Sequence, residues 1–298
     1  MFEKLGEIQE HSGAVYDLAL DQNFIYSASA DGYLARWSSD TLAQDDFAIR
    51  CTTPPYSLAM DTKNRNLWFG LSSGDMHIIN VDTKKELKFF QQHKSGVFSL
   101  HLLPKKNLII AGDADGNLSV WDSKKLILLL FLPLNCGKIR KIKSSPDNTL
   151  IVVNGLDEKI RIFETEGFNE ISTLPGHENG ACCSIFSPLS IDNSILISGG
   201  KDGHLKEWEW QTEKLIQAIP AHNFAVYDFI SLNNGKTFAS ASRDKTIKTW
   251  NTEDLTFTQK IDLKSGGHKH SVNSLLKINE THFASCSDDR KIILWGKL

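Results

Sequence analysis

One stretch recurs along this chain and limits what the chain can fold into: a His, a strand, a turn built on Asp, and a strand ending in Trp. The clearest copy runs from His222 to Trp250. It reads His222-Asn223-Phe224-Ala225-Val226-Tyr227-Asp228, then Phe238 to Asp244 (FASASRD), then Lys245 to Trp250 (KTIKTW). Seven copies align. Their last strands end at Trp37, Asn80, Trp121, Phe163, Trp208, Trp250 and Trp295, at intervals of 43, 41, 42, 45, 42 and 45 residues. A unit of this size cannot bury its apolar face alone, so the copies must pack against one another.

A period of about 40–45 residues with a His start and a Trp end is the spacing of a four-stranded propeller blade. On these residues the chain resembles the WD40-repeat family, and the resemblance covers essentially its whole length. It implies an all-β fold: a seven-bladed β-propeller of four-stranded antiparallel blades, in one domain over residues 1–298, with almost no helix. Copy one carries His11, Ser27, Asp31 and Trp37. Copy five carries His177, Ser198, Asp202 and Trp208, with extra residues near Ser190 to Ser194 expected to lengthen a hairpin. Copy six carries His222, Ser240, Asp244 and Trp250, and copy seven His268, Ser285, Asp289 and Trp295. Copy three has His93, Asp115 and Trp121, with Ala111 in place of Ser. Copy two lacks the His, has Gly74 at the Asp position and ends in Asn80. Copy four keeps Asp157, ends in Phe163 and lacks the His. Asp-Gly pairs at Asp31-Gly32, Asp115-Gly116 and Asp202-Gly203 favour tight hairpins.

The ends complement each other. Only three residues follow Trp295, too few for an outer strand. Leu5 and Ile8 stand six and three residues before His11, as Leu87 and Phe90 stand before His93 and Ile216 and Ile219 before His222. Residues 2–8 are therefore expected to complete the last blade, which would latch the ring.

Ser, His and Asp together invite a hydrolase reading. Four complete sets argue against it, since an active site needs one, and each set travels with a Trp, a donor only. The resemblance implies that each set is a hydrogen-bonded chain joining the strands of its blade. No GxxxxGK or HExxH motif is present. Neither an enzyme, a cofactor nor a metal is expected.

Net charge is -3 and the pI about 6.4, so a nucleic-acid partner is not expected. The N-terminus is polar. The longest apolar run, Leu126 to Leu134, has nine residues, short of the roughly 20 that span a membrane, and reads as a strand covered on both faces. Five Cys with no CxxC pairing indicate reduced thiols and a cytoplasmic setting. The run Lys138 to Lys143 alternates basic and apolar residues. It reads as a strand with solvated charges or, alternatively, as a local contact for an anion.

The resemblance also implies where a partner docks. In the family, the residue five positions after the blade His projects to the face around the channel mouth. Carried over, this gives Tyr16, Tyr56, Phe98, Arg140, Cys182, Tyr227 and Asn273, where Tyr56 and Arg140 rest on aligning the downstream strands. The charged residues just before the turn Asp, Lys201, Arg243 and Asp288, are expected on the same rim. Tyr and Arg favour binding hot spots, so the expected function is a non-catalytic scaffold, a monomer, that binds a protein or peptide on this face. Two alternatives stand beside it. An enzyme or small-ligand site in the channel would need carboxylates or His converging there, and none is identifiable. A methyl-lysine reader would need three aromatics and an acid in one pocket, of which Tyr16, Tyr56 and Phe98 supply part.

Overall fold

In the computed structural model, residues 1–190 and 192–297 are described. They form seven antiparallel four-stranded sheets. In six of them the strands follow chain order. Blade six, for instance, consists of Val226–Leu232, Thr237–Ser242, Ile247–Asn251 and Phe257–Ile261. The seven first strands contact one another in cyclic order and line a central channel. The insertion expected near Ser190 to Ser194 includes residue 191, which lies outside the described residues. Among the described residues the only helix is two short 3-10 turns, Trp210–Thr212 and Leu263–Ser265.

The core is divided. Buried apolar residues form seven clusters among the described residues, one in each gap between neighbouring blades. Each sheet therefore buries both faces, which is why its inner strands read as near-continuous apolar runs such as Leu67-Trp68-Phe69.

The seventh blade joins both ends of the chain. Val272–Lys277, His282–Ser287 and Ile292–Lys297 are completed by Phe2–Ile8, which pairs antiparallel with Ile292–Lys297. The Phe2 ring meets Phe283 edge-on at 5.2 Å. The Phe2 backbone N–H also donates to Gln259 Oε1 of blade six at 2.7 Å, so the N-terminal strand ties two blades together.

The apolar run Leu126 to Leu134 is not covered on both faces. It forms Ile127–Pro133, the outermost strand of blade three, with Ile127, Leu128 and Leu129 exposed at 41%, 36% and 52%. Outer strands lie where the blades splay apart. Only Leu130, Leu132 and Leu134 reach the cluster shared with blade four.

Candidate binding face

Side-chain networks hold the blades that carry the site. In blade one, Trp37 Nε1 donates to Ser27 Oγ at 2.8 Å, Ser27 lies 2.7 Å from His11 Nε2, and His11 Nδ1 lies 2.9 Å from Asp31. Blades five, six and seven repeat the chain through His177, His222 and His268, with His–Ser distances of 2.7–2.8 Å. Burial pushes the His177 and His222 imidazoles below their usual range. A neutral ring suits the pattern, because Nδ1–H donates to Asp while Nε2 accepts from Ser. Burial opposes ionisation of Asp289, yet the hydrogen bond from His268 and the backbone N–H groups of Lys269 and Lys291 bring it down to about 2.

Blade three closes the same chain with different residues. His93 Nδ1 pairs with Asp113 at 2.7 Å, not with Asp115, and Nε2 lies 2.8 Å from Ser119 Oγ, which also accepts from Trp121 Nε1 at 2.7 Å. Ser119 faces Ala111 across the second and third strands, so the hydroxyl arrives from the opposite strand. Blade four uses the equivalent third-strand position differently. Arg161, opposite Val153, donates to Asp157 at 3.0 Å and replaces the missing His. In blade two the register places Ile79 opposite Leu67, as Trp37 stands opposite Ile25. Ile79, not Asn80, therefore holds the Trp position. By the same register Ser73 holds the Asp position, because Gly74, at φ +98°, matches Gly32 at φ +83° in the turn.

The face at the channel mouth is built by β-bulges. In six blades the first strand slips register by one residue, and the extra residue is Tyr16, Tyr56, Phe98, Cys182, Tyr227 or Asn273. A bulge leaves its extra residue unpaired and re-aims its side chain. In blade four, pairing begins at Ile142, so Arg140 sits in the unpaired lead-in. Tyr16, Tyr56, Phe98, Arg140, Tyr227 and Asn273 line one cavity of about 220 Å³ with Asp288. Tyr16 meets Tyr56 edge-on at 5.1 Å, and Tyr56 lies 4.6 Å from Phe98. The Arg140 guanidinium rests 3.5 Å from the Tyr227 ring centroid, and Asn273 Nδ2 donates to Asp288 at 2.7 Å. Lys201, Arg243 and Cys182 line a neighbouring cavity instead.

The residue after each bulge links one blade to the next. Asp17 accepts from the Leu58 backbone N–H at 3.0 Å, Ser57 donates to the Val97 carbonyl at 2.8 Å, and Ser99 accepts from Ile142 N–H at 3.0 Å. Cys183 reaches the Val226 carbonyl, Asp228 accepts from Leu275 N–H at 3.1 Å, and Ser274 lies 2.8 Å from Asp17.

Charges therefore do converge in the channel, contrary to the sequence reading. Lys141 Nζ lies 3.3 Å from both Asp17 and Asp228, and Lys143 lies 3.1 Å from Asp228. His101 lines the same space. Burial opposes the Asp228 charge, but Lys141 and Lys143 hold its carboxyl at about 2. Lys141 and Lys143 are thus paired inward, not solvated, while Lys138 and Arg140 face the channel mouth. These groups were hidden in the sequence because they sit on four different blades.

All five Cys are free. Burial raises every thiol, Cys51 to about 12 and Cys136 to about 11, so none is an activated nucleophile. Among the described residues no group of three or more His, Cys, Asp or Glu is placed to hold a metal, and no helix is long and apolar enough to cross a membrane.

The WD domain, G-beta repeat family model matches residues 2–38, 84–122, 168–209, 213–251 and 259–296. The unmatched stretches hold most of blades two and four, the two without a blade His. Among curated proteins, the chain is 24% identical to nuclear distribution protein nudF of Aspergillus niger, over 75% of this chain and 51% of that one. It is 27% identical to the guanine nucleotide-binding protein subunit beta of Zea mays (67% and 55%) and 26% identical to actin-interacting protein 1 of Drosophila melanogaster (81% and 40%). The chain spans about half the length of these relatives. With the repeat matched over more than half its length and seven blades closed into a ring, the chain belongs to the WD40-repeat family.

Proposed function

We propose that this propeller is a non-catalytic platform that holds a protein or peptide partner on its bulge face. One observation carries the reading: bulges on separate blades aim three Tyr, a Phe and an Asn at a single cavity, joined by Arg140. Such side chains bury large area at small entropic cost. A cavity of about 220 Å³ suits one or two side chains better than a small-molecule ligand, whose sites run to roughly 300–1,000 Å³. Relatives named for association with actin or as a G-protein subunit support a role in protein association.

The channel charges are spent on one another, with Lys141 held by Asp17 and Asp228, which speaks against an enzyme there. A methyl-lysine cage is also the weaker reading. Arg140 covers Tyr227, and Lys138 covers Phe98 at 3.8 Å, so two of the four rings already face the chain's own cations, which would repel a ligand cation.

The test is affinity capture from cells that express the protein, comparing wild type with the triple variant Tyr16→Ala/Phe98→Ala/Tyr227→Ala, shown by thermal melt to be folded. Leu129→Lys on the outer edge serves as control. A specific protein held by wild type and the control but lost from the triple variant is the expected result. Equal capture by all three would remove the bulge face from consideration.

A further inference from the structure

Beside the aromatic cavity lies a second one of about 420 Å³, which shares Arg140 and Tyr227 with it. Four cations line it: Lys138, Arg140, Lys201 and Arg243. No carboxylate does, among the described residues. On the flanks of the blades, by contrast, Arg36, Arg65 and Arg161 each hold an Asp. The chain as a whole is acidic, with a net charge of -3. A formal charge of +4 in one depression is therefore a local concentration, not a reflection of composition.

Three of the four cations also lie against rings. Arg140 lies on Tyr227 and Lys138 on Phe98, while Arg243 lies 5.9 Å from Phe224. A guanidinium stacked on a ring keeps its N–H edge free for a planar or tetrahedral oxyanion. Burial first, then the neighbouring Arg140 and Lys201, push the Lys138 ammonium below its usual range. Four like charges gathered without a counter-charge are costly in the empty site, and a bound dianion offsets that cost.

We propose that this cavity receives a phosphorylated side chain of an extended partner segment, whose bulky apolar neighbour fills the adjoining aromatic cavity. The inference rests on the bulge-face reading above. A phosphoryl group is favoured over a carboxylate because it brings about two charges and three acceptor oxygens to one point, matching several convergent N–H donors. Because the two cavities share Arg140 and Tyr227, the two partner side chains fall within about three residues of each other, at roughly 3.3–3.6 Å per extended residue.

The probes are three degenerate nine-residue peptide pools with phosphoserine, serine or glutamate fixed at the centre. The proteins are wild type, Lys201→Glu/Arg243→Glu, and the triple aromatic variant. Lys201 and Arg243 are exposed, so their replacement leaves the fold intact, which a melt checks. The expected result is at least tenfold tighter binding of the phosphoserine pool than of either other pool, lost in Lys201→Glu/Arg243→Glu. Apolar residues should be enriched within three positions of the phosphoserine. Equal binding of all pools, lost only in the aromatic variant, would overturn the phosphate site and leave the bulge face standing. Equal binding of the glutamate and phosphoserine pools would make the site one for acidic segments. No binding by any pool would overturn both readings.

Discussion

Ser119 Oγ lies 2.8 Å from His93 Nε2, on the strand opposite the one that carries the equivalent Ser in blades one, five, six and seven. The hydroxyl keeps its two partners while its backbone origin changes. The network is thus specified by where an oxygen sits, not by which strand supplies it. Ser119→Ala should cost about 1–3 kcal/mol, because it strands the buried His93 and Trp121 nitrogens. Asp115→Asn should stay within about 0.5 kcal/mol of wild type, since Asp115 is exposed and His93 pairs with Asp113. Denaturant unfolding measures both, and a large loss from Asp115→Asn would contradict the assignment.

Lys141 spans the channel to two carboxylates from other blades. Removing its charge with Lys141→Met leaves Asp17 and Asp228 buried and opposed. The expected loss at pH 7 is about 3–5 kcal/mol, the usual cost of breaking one side of a buried pair. The loss should shrink at pH 3, because without Lys141 the Asp228 carboxyl loses the largest influence that lowers it and takes up a proton more readily. A loss that is the same at both pH values would refute the pairing.

Acid stability follows from the lowered carboxyls. Asp228 and Asp289 sit at about 2 in the fold, against roughly 3.9 in an unfolded chain. Below about pH 4 the unfolded chain takes up protons first. The stabilisation is therefore complete above that pH and drains away as pH falls towards 2. Melting temperature should be level from pH 7 to 5 on this account and drop steeply below 4. A flat profile down to pH 2.5 would show that these ionic links contribute nothing.

The exposed outer strand Ile127–Pro133 carries no charged residue, unlike Phe2–Ile8 or Lys85–Phe90. An uncharged apolar edge invites pairing with another chain. Leu129→Lys should leave stability within about 0.5 kcal/mol while reducing light scattering of concentrated protein on warming. Unchanged scattering would mean that this edge is not the weak point.

Phe2 latches the ring against Phe283 and Gln259. Phe2→Ala should cost about 3–5 kcal/mol, as for other buried Phe truncations, and raise amide exchange in Ile292–Lys297 above that in blade four. Uniform exchange across the blades would argue against a latch.

The repeat period, the Trp and His residues and the offsets of Leu5 and Ile8 made the seven blades and their closure legible in the sequence, because each signal is local or periodic. Tyr16, Phe98, Cys182, Tyr227 and Asn273 each stand five residues after a blade His, a periodic signal of the same kind, whereas their use in holding a partner is the proposal made above. The sequence alone was enough to specify those features. Only the tertiary structure decided the rest. Ser119 and Arg161 act through the strand opposite the expected one, which depends on register. Lys141, Asp17 and Asp228 are brought together from three blades by closure of the ring. The Leu126 to Leu134 run was misread because an apolar strand looks the same in sequence whether it lines a gap between blades or lies at the rim, and radial position in the propeller is set only when the blades pack.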